Sequence, residues 1–459
     1  MRLRSVFALL CWEGAFAMAY ESWVGVTFLS GLGGELGVSV GTVSLLVAVP
    51  WIGAIGQIFG LWAFERVSSI RRYTLCVATA ARALWAVPLV FAGFWMWRAS
   101  QYGSVFPRSS WLFLLTCVAC FSALLATSSS AAWMAWVQEI VPENFRGRFF
   151  GARQRFTVVA VIFANLVGAA CVAWKPEGYF LGYALMGVLA LVAGAMSVYL
   201  LSRVPDAARR VRLERPKRQA RPGRLRLSRP ISFDGLLEPL QDASFRRVLI
   251  FGAAFNGAVQ LTGPFFPYYF TKELGIPMSS IALWTVMTQI GGFASAALWG
   301  RKIDQSRDPA RMIFIAGNLI ALSPLIYSFR AVETIPYFAP FDYTLSGVAW
   351  TGYTLAFNTL LFRVCPLKRN AVCFSLYTAC AGLAGAAGNL LGGWLAVELQ
   401  PWGGFRALFL LGGITRFALV WGLSGLLRSV PVVSPGSAVS ELEKEPDPAE
   451  SDAPAPSAG

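Results

Sequence analysis

No histidine occurs anywhere in the 459 residues. Imidazole metal ligation and histidine general-base chemistry are therefore closed to this chain, and any proton relay in it runs through carboxylates or water. Charge is scarce too. Asp, Glu, Lys and Arg make up 14% of the residues, against roughly a quarter in a soluble domain. The sequence has no P-loop, no nucleophile motif and no metal-ligand cluster. That excludes the usual signatures of ATP-driven pumping and of an enzyme, and calls for no cofactor and no metal. Eight cysteines (Cys11, Cys76, Cys117, Cys120, Cys171, Cys365, Cys373 and Cys380) lie in or beside apolar stretches. Cys117 and Cys120 form a C-x-x-C, but inside an apolar run and without a second pair, so all eight read as small core residues.

What the sequence does contain is apolar length. Hydrophobic residues make up 56% of the chain and the mean hydropathy is +0.57, so its solvent is lipid. A crossing helix needs about 20 apolar residues. Twelve segments qualify, near 6–30, 41–64, 73–97, 111–137, 155–174, 179–202, 247–270, 280–299, 312–330, 341–364, 371–397 and 405–427. The opening MRLRSVFALLCW looks like a signal peptide, but its apolar character continues without a small-residue cleavage pattern, so it is taken as a retained first helix. The expected fold is an all-α membrane protein of twelve helices.

Lys and Arg predict the orientation. With the N-terminus inside, the inner segments hold 31 basic residues and the outer loops hold six. Both ends are then cytoplasmic, the arrangement of a bacterial inner-membrane protein. The net charge of +15 sits in short segments between apolar runs and does not call for nucleic acid. The domain plan is a six-helix bundle (1–202), a basic cytoplasmic linker (203–246), a second six-helix bundle (247–428) and a polar tail (429–459). The linker is rich in Arg, Lys and Pro and suits a topology anchor facing lipid headgroups. The tail is rich in Pro, Ser, Ala and acids and reads as disordered.

The two bundles repeat. Pro142 is followed by Phe150 and then Asn165-Leu166-Val167-Gly168; Pro366 is followed at the same spacing by Phe374 and Asn389-Leu390-Leu391-Gly392. Glu35-Leu36-Gly37 leads to Ile52-Gly53 as Glu273-Leu274-Gly275 leads to Ile290-Gly291. Parallel duplication of a membrane bundle is a mark of secondary transporters, with the substrate path where the halves meet. Segment eleven carries Gly382, Gly385, Gly388, Gly392 and Gly393 at three- and four-residue steps, the small-residue face that close helix packing in lipid needs.

Two loops carry matched charges. Gly300-Arg301-Lys302-Ile303-Asp304-Gln305-Ser306-Arg307 lies between segments eight and nine; Gly60 to Arg66, then Arg71-Arg72, lies between two and three. With the repeat and the basic middle loop, these residues make the chain resemble the major facilitator superfamily over about residues 6–428. The second loop fits the family's GxxxD pattern at Gly300 and Asp304, with Gln305 where a basic residue is usual. The first departs further, with Glu65 as its acid and Gly60 one residue out of register. Loop 4–5, from Val141 to Gln154, is similar to a segment of bacterial members. The resemblance implies rocker-switch alternating access by a monomer, with Gly60, Glu65, Arg66, Arg72, Gly300, Asp304 and Arg307 as inner latches and Arg146 in a second gate element. The Gly-Pro motif of drug exporters is missing from segment five, and segment two lacks the acid of cation-linked sugar symporters.

An ionisable residue within a span is a functional candidate. Glu13 and Glu21, about 80° apart around the first helix, and Arg82 are the candidates for proton coupling; a static ion pair is the competing reading. Arg416 is a candidate for a substrate anion, a helix-end carbonyl or snorkelling. Gln57, Asn256, Gln260, Gln289, Asn358, Tyr20 and Trp23 are candidates for the solute pathway, with helix–helix adhesion as the competing role for the amides. The function that follows is proton-coupled secondary transport of a small solute. The alternative is a transporter-fold protein that handles lipid or pigment, or senses, without cycling.

Overall fold

The structure is a computed structural model that describes residues 3–67, 69–102, 107–141, 143–174, 179–205, 236–306, 308–365 and 370–428. The central linker from 206 to 235 and the tail from 429, together with Arg307, lie outside the described residues. Every regular element among the described residues is helical. They form twelve crossing segments, numbered here as spans. Span 1 is Leu3–Trp23 followed, after a break, by Val26–Glu35; span 2 is Val40–Ile52 continued by Gly56–Arg66; span 3 is Ile70–Ala83 continued by Ala86–Tyr102. Spans 4, 5 and 6 are Arg108–Ile140, Glu143–Ala173 and Tyr179–Ser202. Span 7 is Ala243–Gln260, a break, then Phe265–Tyr268 and a π-helical turn Tyr269–Glu273. Spans 8 to 12 are Met278–Ser306, Pro309–Phe329, Ile335–Val364, Asn370–Glu398 and Phe405–Arg428. Ten of these are long and apolar enough to cross a bilayer; the other two are span 1, which is broken, and span 10.

The repeat in the sequence is a repeat in space. Gly37 and Gly275 both sit at positive φ, +66° and +63°, just past the ends of spans 1 and 7, where only glycine turns the chain without strain. A Cβ on Gly53 would strike Ala123 of span 4 at 2.6 Å, and one on Gly291 would strike the backbone of Thr344 in span 10. The two asparagines of the repeat face across the halves. Asn165 on span 5 accepts a hydrogen bond from the Thr285 hydroxyl of span 8 (2.9 Å). Asn389 on span 11 donates to the Val47 carbonyl of span 2 (3.5 Å) and its own backbone carbonyl accepts from Ser44 (2.8 Å). Spans 5 and 8, and spans 2 and 11, thus make equivalent contacts about one pseudo-twofold axis. Span 11 also lies directly on span 7, where a side chain on Gly388 or Gly392 would meet the carbonyls of Gly257 and Leu261.

The two ends of the bundle differ. The end that carries loops 2–3, 4–5, 8–9 and 10–11 is called the basic end here, and the opposite one the far end. At the far end a single apolar core joins both halves. Phe28, Leu32, Val43 and Leu46 share it with Phe265, Tyr268, Phe270 and Met278. Hydrogen bonds stitch it: Ser30 to the Pro264 carbonyl (2.5 Å), Tyr268 to the Val38 carbonyl (2.8 Å) and Lys272 to the same carbonyl (3.2 Å). At the basic end each half has a core of its own. One runs from Val6 and Leu10 to Phe149 and Leu201, the other from Phe245 and Ile303 to Cys373 and Leu427. The halves therefore meet at the far end and part toward the basic end.

Candidate functional site

A buried carboxylate organises the first half. Glu13 is 3% exposed. Its two oxygens face Arg153 of span 5 at 3.5 Å and Arg82 of span 3 at 3.9 Å, and the Ser197 hydroxyl of span 6 donates to it at 3.1 Å. Four spans thus converge on one side chain. Room for the arginines comes from glycine. A Cβ on Gly14 would lie 2.7 Å from the Arg153 guanidinium, and one on Gly194 would lie 3.3 Å from Arg82. Arg153 also stacks over Trp133, 4.4 Å from the ring centre, a contact that suits a partly desolvated guanidinium. Glu21 is different. It is exposed, yet within electrostatic range of Arg82, Glu13 and Arg153. It therefore stands on the same side of span 1 as the buried cluster, one turn before that helix breaks.

Apolar length in the sequence starts span 5 at 155 and so leaves Arg153 in a loop; the helix begins at Glu143 and carries Arg153 into the bundle. The same error of ends hid Asp342. Span 10 begins at Ile335, so Asp342 lies two turns inside, 3% exposed. It accepts a hydrogen bond from Ser323 of span 9 (2.9 Å), with Tyr327 beside it and Arg416 within electrostatic range. These groups line a cavity of about 150 Å³ in the second half, together with Gly263, Thr288, Tyr343 and Ser346. The chamber, with Ser323, Asp342 and Arg416 set among apolar neighbours such as Phe266 and Ile320, is large enough for water.

Among the three roles considered for Arg416, the geometry matches the helix-end carbonyl. Its guanidinium donates to the carbonyls of Val259 (2.9 Å), Ile320 (3.2 Å) and Ala258 (3.4 Å), and to Thr262. Span 7 stops at Gln260, and the Val259 carbonyl near its end also accepts the Gly263 backbone N–H (2.9 Å). The Ile320 carbonyl lies inside span 9, where Pro324 four residues on has no N–H to offer. The guanidinium thus adds a donor to the first, supplies the missing donor to the second, and complements the helix dipole at the end of span 7.

The other pathway candidates divide. Tyr20 and Trp23 are buried rather than lining open space, and Trp23 donates its indole N–H to the Ala164 carbonyl of span 5 (2.7 Å). Their aromatic bulk lies in the far-end core. Asn256 donates to the Ala381 carbonyl of span 11 (2.6 Å) and acts as helix adhesive. Gln57, Gln260 and Gln289 are half-buried and Asn358 is exposed.

Of the latch residues, Arg66 lies over Trp62 of its own helix, 3.9 Å from the ring. Arg72 and Asp304 are exposed. Gly60 abuts the Ser128 backbone of span 4, whereas Gly300 has open space where a Cβ would be. Helix contact thus explains the first glycine and not the second. The side chains of Glu65 and Arg146, and the whole of Arg307, lie outside the described residues.

The described residues thus form two six-helix halves, joined at one end and parted at the other around buried charges. The sequence model of the Major Facilitator Superfamily matches residues 248–453. The nucleoside transporter NupG, in a mutant form, superposes with a TM-score of 0.66 at 11% identity, covering 92% of this chain and 99% of that one. A bacterial homologue of the human lysosomal transporter Spinster, inward-facing and unoccupied, gives 0.66 at 14% identity, covering 94% and 99%. A bacterial homologue of the iron transporter ferroportin gives 0.66 at 14% identity in its inward-facing state, covering 92% and 100%; its outward-facing state with soaked iron gives 0.60 at 15% identity, covering 94% and 99%. No curated protein matches the sequence. The sequence match covers the second half of the chain alone, and the solved structures share the fold of the whole.

Proposed function

We propose that this protein is a proton-coupled secondary transporter that moves a small solute across a bacterial cytoplasmic membrane as a monomer, with the basic end in the cytoplasm. In that orientation the structure is the inward-open state of an alternating-access cycle. The observation that carries the reading is the contrast between one shared core at the far end and two separate cores at the basic end. A rigid fold would have no reason to build one seam and omit the other. Two-state tilting of the halves does.

Within this cycle the Glu13 cluster is the coupling centre of the first half. Glu13 is held by two arginines, and Glu21 stands exposed within reach of the same charges. A proton on Glu21 removes a negative charge beside Arg82 and Arg153 and so strengthens their hold on Glu13; its loss reverses this. Half-buried Gln57, Gln260 and Gln289 supply hydrogen-bonding groups for an uncharged, hydroxyl- or carbonyl-bearing solute.

The test is a ligand screen followed by flux. Purified protein is heated with a panel of sugars, nucleosides, peptides, organic anions and drugs, and any stabilising compound is offered to proteoliposomes containing a pH-sensitive dye. Solute-dependent proton movement that Glu21→Gln abolishes is the expected result. Solute flux with no proton movement overturns the coupling. A bound solute that is never transported overturns the transporter reading in favour of a sensor.

A further inference from the structure

A groove of about 380 Å³ opens between spans 8 and 9 at the basic end, within the roughly 300–1,000 Å³ of small-ligand sites. Its floor is Trp299, Met312 and Ile315 and its rim is Lys302, Gln305, Ser306 and Arg311. On span 8, Trp299, Lys302 and Ser306 follow one another at steps of three and four, so they share a face. Trp299 is fixed, donating its indole N–H to the Val348 carbonyl of span 10 (2.9 Å) and lying against Gly352. The floor is therefore rigid, and the rim carries two cations.

We propose that this groove binds the phosphodiester headgroup of an anionic phospholipid. Three observations favour that occupant. The first is charge. Lys302 and Arg311 both line the groove, and Arg311 stands in the first turn of span 9. The nearby acids do not cancel them. Asp308 is engaged as the helix cap, its carboxylate accepting from the Arg311 backbone N–H (3.1 Å). Asp304 lies about 200° around the helix from Lys302. The second is donors: an amide at Gln305 and a hydroxyl at Ser306 complement phosphate oxygens. The third is continuity with the acyl layer. Ile315 is 40% exposed and Leu298, beside Trp299, is 60% exposed. The apolar floor thus runs out onto the lipid-facing wall, where acyl chains lie and a free anion gains nothing. Basic pockets between spans on the cytoplasmic side bind anionic headgroups in just this manner.

The experiment uses the full chain in phosphatidylcholine nanodiscs with and without phosphatidylglycerol. Lipid retained on the protein is read by native mass spectrometry and unfolding by heat. Phosphatidylglycerol is expected to be retained and stabilising, with binding about thirtyfold weaker in K302Q/R311Q and restored in K302R/R311K. R66Q/R72Q, which removes the same charge from the other half, is expected to bind as the parent does. Equal loss in R66Q/R72Q overturns the site in favour of diffuse surface charge. Equal stabilisation by inorganic phosphate in phosphatidylcholine overturns the lipid in favour of a soluble anion. Undiminished retention in K302Q/R311Q, or no preference for phosphatidylglycerol at all, overturns the proposal outright.

Discussion

In the first half a carboxylate is the hub: Glu13 gathers Arg82, Arg153 and Ser197 from three other spans. In the second half the spacing that relates Gly37 to Gly275 puts buried Phe251 at that place, and the hub is a cation. Arg416 spreads over the backbone of spans 7 and 9 while Asp342 is served by Ser323. The same scaffold thus carries charge for two purposes. The first half pairs side chain with side chain. The second half uses its arginine to satisfy backbone, which no ligand is needed to do. Duplication preserved the helices and left the chemistry free to diverge.

This contrast can be broken by substitution. Arg416→Met removes a buried side-chain donor from the carbonyls of Ala258, Val259 and Ile320 and is expected to cost the most, about 3–5 kcal/mol, seen as a large fall in thermal stability in detergent. Glu13→Ala strands two arginines that retain some access to solvent, so about 2–3 kcal/mol is expected, and Glu13→Gln, which keeps an acceptor for Ser197, loses less. If Glu13→Ala proves the costlier of the two, the assignment of a purely structural role to Arg416 is wrong. Gly388→Ala installs the residue that the first half carries at the equivalent place, Ala164. Its methyl group would meet the Gly257 carbonyl, so about 1–3 kcal/mol of overpacking is expected in thermal melts.

The smallest effects test the symmetry itself. Asn165→Ala and Asn389→Ala each remove one seam bond between the halves, worth about 0.5–1.5 kcal/mol. Each is expected to shift the ratio of closed to open far ends about twofold to tenfold. Spin labels at Arg98 and Glu333, on opposite halves of that end, report the shift as a longer distance. Similar responses from both variants sharpen the pseudo-twofold relation; a response from one alone breaks it.

Much of this was legible in the sequence. The asparagine–glycine repeats pointed to duplication, and they turn out to be the seams between the halves. The glycine face of span 11 announced its close contact with span 7. What escaped lies at helix ends. Hydropathy marks the apolar middle of a span, but span 5 runs on through Glu143–Gln154 as a polar helix. Its buried Phe149 is the one trace of that continuation in the sequence. The places of Arg153 and Asp342 were lost for that reason. The burial of Tyr20 and Trp23 was illegible for another reason: an aromatic residue in a membrane helix looks the same whether it faces a core or a cleft, and only the neighbouring spans decide.

The interruptions of spans 1 and 7 fall at matching places, after Trp23 and after Gln260. Beyond each lies a short tip of roughly ten residues that reaches across to the opposite half. The helical ladder does not run unbroken through such a joint, so each tip points in a direction of its own. The meeting of the halves at the far end thus rests on two short pieces of helix as well as on whole spans.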